Sequence, residues 1–127
     1  MMQSGTDEPG RTFREAWIAG VNKHYPGEPK PSYVTPWEET PEWEREAAAA
    51  VYHQVRTFVE ISAGSTAKLT REQRGRFVAL CWIAQIHKHI ETPKPSYVAD
   101  WEDLPEWQRE TDADIFERIE DDASLTG

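Results

Sequence analysis

The chain has 127 residues, 38% of them hydrophobic, with six Trp, four Tyr and four Phe, enough large apolar side chains for one core and not for two. Its net charge of −9 disfavours nucleic-acid binding, which needs a concentrated basic surface. No run of about 18 apolar residues is present to span a membrane.

Residues 1–11 read as a disordered lead-in: they have no basic start and no apolar stretch of the kind a secretory signal carries. A first helix follows over 12–25, with Phe13, Trp17, Val21 and Tyr25 spaced four apart as a narrow stripe. Pro26, Gly27, Pro29 and Pro31 then forbid helix, and Ser32-Tyr33-Val34 has the composition of a short strand. Thr40-Pro41-Glu42 opens a second helix, with Thr as cap and Pro at the tolerated first position. It runs to Ile61 through Ala47, Val51, Val55 and Phe58.

Residues 62–69, rich in Ser, Gly and Thr, form a hinge. Thr70 and Gln73 make a capping box for a third helix to Ile90, burying Phe77, Leu80 or Cys81, and Ala84, with Ile83 and Ile86 as further candidates. A fourth helix starts at Pro105, carries Trp107, Ile115 and Ile119, and ends near Asp121. Residues 122–127 read as a frayed tail.

The dominant feature is an internal repeat. Residues 30–46 set over 94–110 are identical at twelve of seventeen positions. Upstream the offset is one residue longer, so that Trp17-Ile18-Ala19 answers Trp82-Ile83-Ala84 and Lys23-His24 answers Lys88-His89. Two copies are fewer than a solenoid needs. The expected fold is therefore mostly all-α, a single domain over 12–121. It has two pseudosymmetric helix, extended linker, helix halves (12–61 and 70–121), with room for a two-stranded antiparallel pairing of Ser32-Tyr33-Val34 with Ser96-Tyr97-Val98.

The peptide from Trp37 to Glu46 and its copy Trp101-Glu102-Asp103-Leu104-Pro105-Glu106-Trp107-Gln108-Arg109-Glu110 resemble the repeat segment of small ryanodine-receptor-type domains of bacterial and phage proteins. The second copy fits the pattern Trp-Glu-Asp-x-Pro-Glu-Trp-Gln-Arg-Glu throughout; the first departs at Glu39 and Glu44. The likeness spans residues 12–120. Thr92-Pro93-Lys94-Pro95 is shorter than the Gly- and aromatic-rich loop that precedes the second proline segment in such domains. The resemblance implies a helical, non-enzymatic module that senses a ligand, nucleotide-like molecules among them, or binds a protein.

No serine lies in a Gly-x-Ser-x-Gly setting and no Gly-rich loop cradles phosphate. Paired carboxylates such as Glu38/Glu39 and Glu102/Asp103 sit at helix starts, where acids are common. No His-x-x-x-His or Cys-x-x-Cys pair points to a metal, and no cofactor is implied. The single cysteine, Cys81, excludes an internal disulfide, reads as a small buried hydrophobe and fits a reducing, cytoplasmic compartment. Trp43 and Trp107 are expected as core staples.

The candidate ligand set is Tyr33, Trp37, Tyr97 and Trp101 with Lys30 and Lys94, lining a cleft between the halves for a small anionic ligand. Aromatic stacking and lysine neutralisation are its warrant. The alternative is a protein-interaction surface. Residues 100–122 hold eleven acids against two arginines, whereas residues 68–94 are net basic. Asp112, Asp114 and Glu117 would then dock on a basic partner, with Arg71 and Arg74 as a second contact region. The plainer reading is that the acidic last helix neutralises the basic third one.

Overall fold

The computed structural model describes residues 8–126. Four helices, α1 (Glu8–His24), α2 (Glu42–Ile61), α3 (Arg71–His89) and α4 (Glu106–Thr126), carry the all-α architecture, with 3-10 turns at Pro31–Val34, Trp37–Glu39, Ser65–Lys68, Pro95–Val98 and Trp101–Asp103. α1 packs on α2 and α4, and α3 packs on α4 and α2. Each helix earns its place by an apolar face. In α2 that face is Ala47, Ala48, Val51, Tyr52, Val55 and Val59. In α4 it is Ile115, Phe116, Ile119 and Ala123, and Phe13, Ala16 and Val21 answer from α1. Full burial of each large side chain among these stabilises by about 1.5–3 kcal/mol. α1 and α3 also meet directly, through the near-parallel stack of Phe13 on Trp82.

Several boundaries differ from the sequence expectation. α1 begins at Glu8 rather than at residue 12; the remainder of the lead-in lies outside the described residues. α4 continues to Thr126 instead of fraying at 122, because Ala123 is buried against the core. In α3 the buried face is Gly75, Val78, Ala79, Gln85 and Ile86. Leu80 is exposed, and so is Ala84. Of the expected stripe, Ile86 is buried and Phe77 and Cys81 pack against the core.

The capping box of Thr70 and Gln73 is present in both directions. Thr40 behaves differently. Its hydroxyl donates to the carbonyl of Pro36 and its amide to that of Trp37, so it closes the preceding turn, and Pro41 takes the position before the helix.

Neither Ser-Tyr-Val segment is a strand. Both are 3-10 turns, in which the Tyr33 amide donates to the Lys30 carbonyl and the Tyr97 amide to that of Lys94, each at 2.9 Å. Pro31 and Pro95 preset the backbone angle of the first turn residue, and that local closure outweighs the β preference of Tyr and Val. The proposed antiparallel pairing is thereby replaced by two local turns.

The same contact fastens each linker to the helix before it. A Cβ added at Gly10 would lie 2.5 Å from Cη2 of Trp37, and one at Gly75 would lie 2.6 Å from Cη2 of Trp101. Helix backbone stands just behind each glycine, at Arg45 and Ala49 in one case and Arg109 and Ala113 in the other. Gly75→Ala is therefore expected to lower stability by about 1–3 kcal/mol through overpacking. Adding Trp101→Phe, which removes Cη2, should make the pair less destabilising than the sum of the single changes. Urea unfolding of the four proteins checks this, and strict additivity would contradict it.

Candidate functional site

The motif tryptophans exchange the roles expected of them. Trp37 and Trp101 are buried wedges, 5% and 6% exposed. Trp43 and Trp107, expected as core staples, are only half-buried. Each packs on the end of the other half's first helix. Trp107 lies against Trp17 and Tyr25, and Trp43 against the His89 ring.

Of the remaining ligand candidates, Lys30 stands over the Tyr33 ring and Lys94 over Tyr97, each at 5.8 Å. These are local pairs, set by the 3-10 turn that places a side chain three residues on above its predecessor. No ring contact or ion pair joins one pair to the other among the described residues.

What surrounds the two tyrosines differs. Tyr33 belongs to a cluster of four half-buried rings drawn from three segments. Trp107 is 5.5 Å from Tyr33 and 4.9 Å from Tyr25; Tyr25 is 5.8 Å from Tyr33, and Trp17 meets Tyr33 and Trp107 edge-on. The linker beneath is tied down by polar contacts. Trp17 Nε1 donates to the Tyr33 carbonyl at 2.9 Å, and Arg14 donates to the carbonyls of Thr35 and Ser32.

The second linker lacks these ties. The position of Arg14 is occupied by Ala79, packed with Leu104, Trp101 and Ala99. The position of Trp17 is occupied by Trp82, which has turned onto Phe13. Tyr97 is left 49% exposed. Sequence reasoning placed Trp17 and Tyr25 on the core stripe of α1 and so missed their part in the cluster. The repeat alignment of Trp17 with Trp82 was the available signal.

Arg14 itself is almost fully buried, and its carboxylate partner among the described residues is Glu44 at 3.5 Å. Burial pushes the Arg14 guanidinium down from its ordinary pKa against the pull of Glu44. Burial likewise raises the Glu44 carboxyl, with Arg14 opposing. Such a pair specifies geometry more than it adds stability.

The charged residues of α3 and α4 are engaged with one another. Arg71 reaches Glu117 at 2.7 Å, Glu110 at 2.9 Å and Asp114 at 3.0 Å. Arg74 reaches Glu117 at 3.3 Å, and Glu120 accepts from the Thr66 hydroxyl at 2.6 Å. The other oxygen of Asp114 meets His24 Nε2 at 2.8 Å. Burial alone would raise the Asp114 carboxyl, but His24 and Arg71 outweigh it and hold the group below its ordinary pKa. Arg71 is held charged by its three carboxylates despite the opposing effect of burial.

The set of Arg71, Arg74, Asp112, Asp114 and Glu117 thus lies along the seam between α3 and α4. Four of its members are paired within the fold, and Asp112 is 6% exposed. Its position three and four residues before Ile115 and Phe116 puts it on the buried stripe of α4, a signal the sequence held.

His24 and His89 do not meet across the two halves; each finds its partner above. Burial pushes the Cys81 thiol up to about 11, which suits a packing role and not a nucleophile. No group of three or more metal-ligating side chains converges among the described residues, and none of their helices is long and apolar enough to cross a membrane. Comparison with protein-family models, curated proteins and solved structures gives no match.

Asp112 has no hydrogen bond or ion pair to a described residue, and burial pushes its carboxyl well above the ordinary range. The folded chain then keeps a proton that the unfolded chain releases. Stability from this group is full below the unfolded pKa, is lost as pH rises through the folded one, and stays lost above it. Asp112→Asn, which keeps the shape but cannot ionise, should therefore be more stable than wild type at pH 8. The gain over wild type should shrink at pH 5. Denaturant unfolding at the two pH values checks the sign.

Proposed function

We propose that this chain is a divergent ryanodine-receptor-type repeat domain: two pseudosymmetric halves forming a non-enzymatic, cytoplasmic module that binds a small anionic aromatic ligand such as a nucleotide. The repeat, the Trp-Glu-Asp-Leu-Pro-Glu-Trp-Gln-Arg-Glu segment and the recurrence of the glycine–tryptophan wedge in both halves support the structural part of this reading.

The observation that carries the functional part is the four-ring cluster of Trp17, Tyr25, Tyr33 and Trp107, with the Lys30 ammonium over Tyr33. The rings come from α1, the first linker and α4 and are only half-buried, which leaves π-surface for a planar group. Stacking of a base on aromatic side chains contributes about 1–3 kcal/mol per base. Lys30, exposed and without a carboxylate partner among the described residues, supplies a cation for the phosphate. The ligand set is accordingly narrower than the sequence suggested: Tyr33 and Lys30 stay, Trp17, Tyr25 and Trp107 join them, and Trp37 and Trp101 become the supporting framework.

A thermal-shift screen of mono-, di- and cyclic nucleotides tests this, since a ligand at about a hundred times its Kd stabilises by about 2.7 kcal/mol. At least one nucleotide should raise Tm. Lys30→Gln should weaken its binding about tenfold with little change in the unliganded Tm. No stabilisation at millimolar concentration by any of them would refute the proposal.

A further inference from the structure

A cavity of about 290 Å³ lies away from the four-ring cluster, between the start of α3 and the start of α4. Its walls include Arg71, Glu72, Trp101, Glu106, Arg109 and Ala113. Its volume falls just below the roughly 300–1,000 Å³ of sites that hold drug-sized ligands, and it opens to solvent.

Most of the charge around it is already committed. Arg71 faces three carboxylates. Glu72 accepts from Trp101 Nε1 at 3.3 Å and pairs with Arg76 at 3.2 Å. Two side chains are left over. Arg109, half-buried, is felt electrostatically at Glu102 but has no hydrogen bond or ion pair to a described residue. Glu106 has none either. They stand three residues apart on one face of α4, yet no ion pair joins them.

We infer that this cavity is a binding site for a free α-amino acid, its carboxylate held by Arg109, its ammonium by Glu106, and its side chain on the Trp101 edge and Ala113. The two uncommitted charges select for both poles at once. A polyphosphate brought to Arg109 meets Glu106 and Glu72. A simple amine brought to Glu106 meets Arg109 and Arg71. Arginine's paired donors match a carboxylate in a fork, and a single neighbouring carboxylate completes the recognition of a zwitterion. The apolar members of the wall, Trp101 and Ala113, are almost fully buried and show only a small edge, which favours a short side chain. The site shares no residue with the four-ring cluster, so it stands or falls independently of nucleotide binding.

The test uses the full chain with L-leucine and L-methionine at about 10 mM, against isoamylamine and isocaproate, which keep the leucine skeleton but carry one charge each. At least one amino acid should raise Tm and both single-charge analogues should fail. Arg109→Gln and Glu106→Gln should each weaken amino-acid binding tenfold or more in calorimetry, with unliganded Tm nearly unchanged because neither side chain is paired. Lys30→Gln serves as the control and should bind as wild type. No response to either amino acid, an equal response to the amine or the acid alone, or full affinity in the Arg109→Gln protein would overturn the assignment.

Discussion

A six-membered edge of tryptophan set against a glycine where the main chain of a third segment stands just behind leaves no room for adjustment. Trp37 on Gly10 and Trp101 on Gly75 are such contacts, and the positions of both linkers follow from them. Because the indole reaches the helix backbone itself, the linker cannot slide or tilt without losing dispersion along its whole ring. The two 3-10 turns that flank each wedge are then held at fixed points of the chain. The helix that follows starts where Pro41 or Pro105 allows it. Everything placed on the linkers, Lys30 and Tyr33 in one and Lys94 and Tyr97 in the other, inherits its position from an interaction that carries no charge.

On this shared framework the two halves diverge by few substitutions. Arg14 against Ala79 changes the fastening of a linker from buried hydrogen bonds to apolar packing. Asp114, on α4, gives the first half's His24 a carboxylate; Ala50, at the matching place on α2, offers none to His89. The polar version commits its donors and draws four rings together. The apolar version frees Trp82 for the core and leaves Tyr97 in solvent. Near-identical linker sequences therefore present unlike surfaces.

The parts of the fold that depend on neighbours in sequence were legible. The capping box at Thr70, the helix α2 and the neutralisation of the basic third helix by the acidic fourth all follow from local pattern or regional charge. What depended on contacts across the chain was not. Trp37 and Trp101 read as exposed linker aromatics because nothing local says that a glycine waits for each of them on another element. Ser-Tyr-Val read as strand because propensity spoke louder than the proline that begins the turn. Asp112 was counted with the surface acids because composition, not register against Ile115 and Phe116, governed the reading. Glu106 and Arg109 belong to a motif whose Trp101 and Pro105 are structural, and no spacing marks them as the pair left without partners among the described residues.

The contact between α1 and α4 joins His24 to Asp114 across 90 residues, and Gly20 to Thr111 across a similar span. As the chain is synthesised from its N-terminus, α1, the first linker and α2 are complete while α4 is still missing. Phe13, Trp17 and Tyr25 then have only α2 and one another for cover. Closing that loop has to wait for α4, and until then the exposed rings are open to non-native contacts. Each half shields the other, so the native state arrives as a whole, with the final helix as the step that completes it.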